Sequence, residues 1–386
     1  MNENILSMEE RECLYFLQSV EGLGNAGIRK LKEKYSSYGE IYRANARELM
    51  QLLTPSQYAA FSEAKSRIYM PKNLERLREL RIRQIAYGDK EYPAKLKNIP
   101  DPPLALYVKG SLPREDIPTV AVVGARRNTP YGYAMAREFS SVLARAGVQV
   151  VSGMARGIDS AAMNAALKCG GYSCGVLGCG VDVCYPPQNR ELYDRLTGLG
   201  GLISEYVPGS KPLAWHFPIR NRIISGLCDA LLVIEAATKS GTMITVDTAL
   251  EQGREVYALP GRIDDEMSKG CNELIRQGAG ILTSPEDFLA QLMSHIAGKD
   301  DYSDYLKKWA AVGSSVSMQL AFVPTTPQER AIYKALDYNP RGLDLILNKV
   351  NEEIPMPLPN LMQWLTNMTI SGYVGCVAGN NYYKLR

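Results

Sequence analysis

From Thr119 onward, short apolar runs rich in β-branched residues alternate with stretches of helical length, and this alternation constrains the fold more than any other feature. The runs fall at 119–123, 148–151, 173–177, 202–204, 230–234, 255–258 and 281–282, with helical stretches such as 133–145 and 159–168 between them. Parallel strands need a long crossover, usually a helix, to return the chain to the same edge. The pattern therefore predicts an α/β fold with a doubly wound, Rossmann-like parallel sheet.

The flanks have a different texture. Residues 1–81 read as helical, with helices over 8–20 and 27–34 and another from about Asn73. Gly22-Leu23-Gly24-Asn25-Ala26-Gly27 joins the first two. A glycine-rich turn between short helices suits a SAM-like or helix-hairpin-helix module whose amides hold a phosphate, and equally a plain connector. Residues 82–118 are proline-rich, include a short strand over 104–108, and extend the sheet domain, which runs to 296. A linker is expected over 297–323. The last segment, 324–386, reads as helices over 328–336, 342–350 and 358–367, then a hairpin of 373–377 and 382–385 turning at Gly379-Asn380, a winged-helix layout.

Composition excludes several classes. No stretch approaches the roughly 18 uninterrupted apolar residues a spanning helix needs, and no basic segment leads into an apolar run at the start, so no membrane role and a cytoplasmic location are expected. Cys169, Cys174, Cys179 and Cys184 recur at every fifth position. Zinc sites prefer pairs two to four residues apart, and a spacing of five puts Cys174 and Cys179 on opposite faces of a strand. The cysteines are therefore expected to be reduced and structural, with no metal bound. The net charge of +3 does not by itself announce a nucleic-acid partner.

The distribution of charge says more. Ligands on an open parallel sheet bind outside the carboxyl ends of the strands. The first run is followed by Gly124-Ala125-Arg126-Arg127, which lacks the glycines of a dinucleotide fingerprint, so no nucleotide cofactor is expected. The second is followed by Ser152-Gly153-Met154-Ala155-Arg156-Gly157, a turn whose amides and arginine suit a phosphate or, alternatively, a tight connection needing glycine. After the third come Gly178-Cys179-Gly180 and then Tyr185-Pro186-Pro187-Gln188-Asn189-Arg190. After the fourth come Trp215-His216-Phe217-Pro218-Ile219-Arg220-Asn221-Arg222. Rings beside arginines suit bases that stack while phosphates are neutralised, as in single-stranded DNA, although Trp215 and Phe217 also read as core. Arg220 and Arg222 lie two apart, so one helical face cannot hold both squarely. After the fifth, Lys239-Ser240-Gly241 opens another helix. Residues 82–323 carry equal numbers of basic and acidic side chains, yet the basic ones gather on these loops. A neutral domain with one basic rim is what local phosphate binding requires.

Catalysis has little support. The chain has two histidines, His216 and His295, and lacks the Gly-x-Ser-x-Gly, His-Glu-x-x-His and phosphate-loop signatures. Asp159 and Glu205 are the candidate acid and base, with buried or capping roles the commoner explanation and Asp159 expected as a helix N-cap. No enzymatic activity is expected.

Residues 82–290 closely resemble the DNA-processing DprA/Smf family. The matching stretches are VAVVGARR (120–127), SGMARGIDSAA (152–162), HFPIRNRIISGL (216–227), SGTMIT (240–245), ALEQGREVYALPG (249–261) and GCNELIRQGA (270–279). The resemblance implies a recombination mediator that binds and protects incoming single strands, helps load RecA in natural transformation, and self-associates as a homodimer. It places the family's DNA-contacting arginine on Arg126 and its ARNR-like segment on Ile219-Arg220-Asn221-Arg222. Met163 stands where the family commonly has histidine, which favours a packing role there. Two alternatives remain. The stretch around Ser240-Gly241-Thr242 distantly resembles the phosphate loop of Rossmann-like phosphoribohydrolases, but without its Pro-Gly-Gly. A transcription factor using the winged helix is the other. Its candidate reading helix, 358–367, has no Lys or Arg for base edges.

Overall fold

The structure is a computed structural model; it describes residues 6–67, 71–297, 326–338, 340–370, 373–377 and 379–384. The amino-terminal helices are α1 (Met8–Ser19), α2 (Gly24–Lys34), α3 (Tyr38–Arg43), α4 (Ala46–Leu52), α5 (Pro55–Arg67) and α6 (Pro71–Glu79). The sequence predicts α1, α2 and α6 but not the three between. Two of those announce themselves only by their caps: the Ser37 hydroxyl and the Asn45 amide oxygen accept from the Glu40 and Glu48 amides. The module closes over its own core of Phe16, Leu17, Ile28, Leu31, Ile41 and Phe61.

The central domain begins with β1 (Arg83–Ala86), α7 (Ala94–Lys97) and β2 (Ala105–Gly110). It continues with β3 (Thr119–Val123), α8 (Pro130–Arg145), β4 (Gln149–Ser152), α9 (Ile158–Lys168) and β5 (Ser173–Val176). Next come α10 (Arg190–Leu199), β6 (Gly201–Ser204), α11 (His216–Leu227), β7 (Ala230–Val233) and α12 (Gly241–Glu251). The domain ends with β8 (Glu255–Ala258), α13 (Glu266–Arg276), β9 (Gly280–Ile281) and α14 (Pro285–Ala297). The nine strands form one sheet in the order β1-β2-β6-β5-β4-β3-β7-β8-β9. From β6 to β9 every neighbour is parallel; β1 with β2 and β2 with β6 are antiparallel. The sheet is thus mostly parallel rather than wholly so. The proline-rich extension supplies the antiparallel edge, because β2 pairs with a strand far along the chain.

The central strands β3 to β7 are buried on both faces, which is why they are mostly apolar. Successive side chains point to opposite faces. Val120 and Val122 meet Phe139 and Leu143 of α8, whereas Ala121 and Val123 share the other core with Ile223 and Leu227 of α11. All eight cysteines are free thiols. Cys174 and Cys179 fall in different core clusters, as their spacing requires. Among the described residues no group of side chains could hold a metal ion, and no helix is long and apolar enough to cross a membrane. Met163 is fully buried against Leu167, Leu177 and Leu196.

Apart from Ala297, the stretch read as a linker lies outside the described residues. The last segment folds as α15 (Pro327–Ala335), β10 (Arg341–Gly342), α16 (Leu343–Asn351), α17 (Leu358–Ile370), β11 (Val374–Val377) and β12 (Asn381–Lys384). The strands pair as β10-β12-β11. Gly379 and Asn380 both take positive φ, which reverses the ribbon in the sense its twist favours. β10 was not foreseen; two residues carry no periodic signal. A capping box, Thr326 with Glu329, starts α15.

Candidate nucleic-acid interface

Strand order reverses direction between β3 and β7, since β4 and β8 lead away on either side. Crevices at such switch points are where open α/β sheets bind ligands. A cavity of about 630 Å³ lies there. The loops after β3 and β7, the α9 entrance and one face of α11 line it. A second cavity, about 270 Å³, shares Arg126, Ala155, Tyr185, Phe217 and Arg220 with the first.

The loop after β3 is held from below. Gly124 lies so close to the chain just after β7 that a Cβ there would sit 2.9 Å from the Glu235 carbonyl oxygen. The buried Glu235 carboxylate accepts from the amide of Thr129 at 2.9 Å and from its hydroxyl. Arg126 and Arg127 project outward from this anchored loop and are exposed.

The turn after β4 is fixed by Asp159. Its Oδ2 accepts from the amides of Gly153 and Ala155 at 3.1 and 3.3 Å. Gly157 is the N-cap of α9, so Asp159 caps the preceding turn and not its own helix, as had been expected. Ser152 is buried, and its hydroxyl donates to Val122 O at 2.6 Å. Gly157 has φ +82°, and a Cβ there would fall 2.3 Å from Ala125 O. The amide of Ile158 donates to that same oxygen at 3.2 Å, so the turns after β3 and β4 are stitched together. Arg156 stands exposed at the mouth of the smaller cavity.

Helix α11 is where the two sequence arginines part company. At about 100° per residue, Phe217, Arg220 and Ile224 share a face and Arg222 lies roughly 200° from Arg220. Arg220 is only 4% exposed yet lines both cavities. Its guanidinium donates to Gly153 O at 2.7 Å and to Val176 O, while Nε has no partner. Burial pushes its pKa down, to about 10, against the opposing pull of Asp159. Burial likewise pushes the Asp159 carboxyl up, against the pull of Arg220. Phe217, half-buried, has the Arg126 and Arg220 guanidinium carbons 5.7 and 5.8 Å from its ring centre, with the Tyr185 ring at 5.4 Å. Gly178 makes room for it: a Cβ there would meet the Phe217 ring at 2.9 Å. Trp215 is 56% exposed and outside the core.

Arg222 points away from both cavities and is 9% exposed. It grips Glu205 in a two-pronged pair at 2.9 and 2.7 Å and reaches Asp101 at 3.1 Å. Glu205, 7% exposed, is thereby committed, which removes it as a free acid or base.

The other predicted residues divide similarly. Gly124, Arg126, Arg127, Phe217, Arg220, Asn221, Ser240 and Gly241 line the larger cavity, and Gly153 and Arg156 the smaller. Ser152, Gly157, Asn189, Arg190, Arg222 and Lys239 line neither. Asn189 acts on the frame, donating to Met154 O and Ala155 O at 2.9 and 3.2 Å. Arg190 lies over Tyr193, 4.0 Å from Asp194. Lys239 is exposed before α12. Ser240 occupies the N-cap of α12 without capping it, and its hydroxyl has no partner. Among the described residues, Arg126, Arg127 and Arg156 have no carboxylate partner. Tyr185, Thr242 and Thr245 also line the larger cavity. Tyr185 belongs to the stretch that follows β5 in the sequence, but nothing in its spacing showed that its ring faces the cavity.

The chain is similar to proteins already known. A family profile described as DNA recombination-mediator protein A matches residues 83–293. The DNA processing protein DprA of Streptococcus pneumoniae is 46% identical over 200 residues, 52% of this chain and 71% of that one. Protein Smf of Escherichia coli is 37% identical over 297 residues, 76% of this chain and 75% of that one. The X-ray structure of the S. pneumoniae DprA superposes with a TM-score of 0.62 at 37% identity, covering 74% of this chain and 98% of that one. The DprA of Helicobacter pylori, described for its single-stranded DNA binding mode, gives a TM-score of 0.51 at 29% identity over 55% of this chain and 96% of that one. With the profile spanning more than half its length, the chain belongs to the DNA recombination-mediator protein A family, that of the DprA and Smf proteins.

Proposed function

We propose that this protein binds single-stranded DNA along the two joined cavities and serves as a recombination mediator, not an enzyme. The observation that carries the reading is Phe217, an aromatic ring at the wall between two cavities, flanked by Arg126 and Arg220. A ring offers a face or edge to any base, and guanidinium groups without carboxylate partners meet phosphates of any sequence. The H. pylori relative, a single-strand binder, supports the choice of polymer. Absence of chemistry fits the two best carboxylates: Glu205 is held by Arg222, and Asp159 by two amides.

The test is oligonucleotide titration at several salt concentrations. Each phosphate neutralised on a single strand steepens log affinity against log salt by roughly 0.7. Duplex of equal length binds more weakly, its bases being hidden. Phe217→Ala weakens binding by about 1–3 kcal/mol with the salt slope unchanged. Equal affinity for single strands and duplex, or no effect of Phe217→Ala, overturns the reading.

The flanking segments extend the proposal. The helix–strand–helix–helix–ribbon order of 326–384 supports a winged helix. With Met362 and Leu358 exposed and no basic residue on α17, it suits a protein contact better than base reading. The amino-terminal helices support a SAM-like module. A homodimer that speeds RecA filament growth on strands coated with single-strand-binding protein completes the proposal. Sedimentation at micromolar concentration and a filament-growth assay test those two roles separately.

A further inference from the structure

Helix α11 carries groove residues on one face and an ion network on the other, and the network ends in the amino-terminal module. The Asn25 amide, in the first turn of α2, donates to Glu205 Oε2 at 2.7 Å. That oxygen also accepts from Arg222 at 2.7 Å. Arg222 continues to Asp101 at 3.1 Å, and Asp101 pairs with Arg29 of α2, which also bonds Pro102 O. Two side chains of α2, one turn apart, thus hold both carboxylates that hold Arg222. The Arg222 carbonyl is in turn bonded by Gln252 at the end of α12, at 3.0 Å.

We propose that Asn25 and Arg29 are positioning residues: through Glu205, Asp101 and Arg222 the amino-terminal module sets the placement of α11, and so of Phe217 and Arg220 in the groove. This rests on the single-strand-binding reading of that groove. The physical case is one of rigidity. A helix packs as a unit, so a constraint on one face fixes the side chains on the other. A buried ion pair is worth little as stabilisation, since desolvation offsets attraction, but it fixes geometry because any departure leaves a buried charge unpaired. Bidentate arginine–carboxylate contact adds directional precision. The network explains why Arg222 is spent on carboxylates in a helix whose opposite face lines the groove.

The titratable groups facing Glu205 are Arg222 from α11, Arg29 from α2, Asp101 from the loop before β2, and the phenols Tyr92 and Tyr206. Burial pushes the Glu205 carboxyl up, and Arg222 pulls it back. Asn25→Asp therefore sets a second carboxylate against Glu205 Oε2 without touching the groove. Two measurements on the full-length protein test the idea, alongside wild type, Arg126→Ala and Arg29→Gln. The first is single-strand affinity against salt at two pH values. At about pH 8, Asn25→Asp is expected to weaken binding by about fivefold, an effect the size of one lost hydrogen bond, with the salt slope unchanged. Near pH 5.5 the deficit relative to wild type shrinks, because paired carboxyls share a proton. Arg29→Gln weakens binding similarly but without the pH rescue. The second is hydrogen exchange of the DNA-free protein: Asn25→Asp speeds exchange across 216–227. If exchange rises only within 24–34, or if both module variants bind as wild type, the positioning role is wrong. If wild type itself ignores single strands while exchange in α11 responds, the network stands and the binding reading falls. Should Asn25→Asp fail to fold, Arg29→Gln carries both measurements.

Discussion

The two faces of α11 carry equal charge and opposite fates. On the cavity face, Arg220 is bonded to backbone carbonyls, and Arg126 above it has no carboxylate partner among the described residues. On the far face, Arg222 meets two carboxylates and is fully spent. A count of arginines near strand ends does not distinguish these regions; pairing does. A cation that is already neutralised inside the protein has nothing left to offer a phosphate.

Substitutions sharpen that contrast, beginning with the largest effect. Arg222→Ala leaves Glu205 buried without its cation and is expected to cost about 3–5 kcal/mol of stability, read from denaturant midpoints. Burial already raises the Glu205 pKa despite Arg222, so that loss should ease in acid, where protonation of Glu205 removes the unpaired charge, and grow as pH rises. Comparable stability for Arg222→Ala and wild type at neutral pH breaks the comparison. Arg126→Ala inverts the phenotype. Its midpoint stays near wild type, while single-strand affinity drops by about 1.5–3 kcal/mol, the worth of a charged hydrogen bond, and the salt slope becomes shallower. Unchanged affinity with folding intact moves the groove elsewhere. Lys239→Ala has the smallest effect. An exposed lysine outside both cavities contributes only screened attraction, so affinity is expected to change by less than about twofold and to converge with wild type at high salt.

The parallel part of the sheet was legible because it is buried on both faces. β3 and β8 match their expected bounds, and the other parallel strands shift by a residue or so. β1 was not legible: Arg83 and Gln84 interrupt its apolar pattern, as an edge strand allows. Nor was its pairing, since β2 finds β6 nearly a hundred residues away. The groove residues were readable as whatever follows a strand end. For Arg222 the sequence shows that it leaves the Arg220 face but not what it meets, because Glu205, Asp101 and Asn25 come from three separate stretches. The caps at Ser37 and Asn45 were visible, but each opens a helix too short to show a period.

One vacancy has consequences for inheritance. The space beside Gly157 is taken by the backbone of Ala125 and Arg126, and a backbone has no rotamer through which to retreat. Every one of the nineteen other residues brings at least one carbon into that space. A mutational survey that scored only the arginines would therefore overlook a codon that bears on where Arg126 stands.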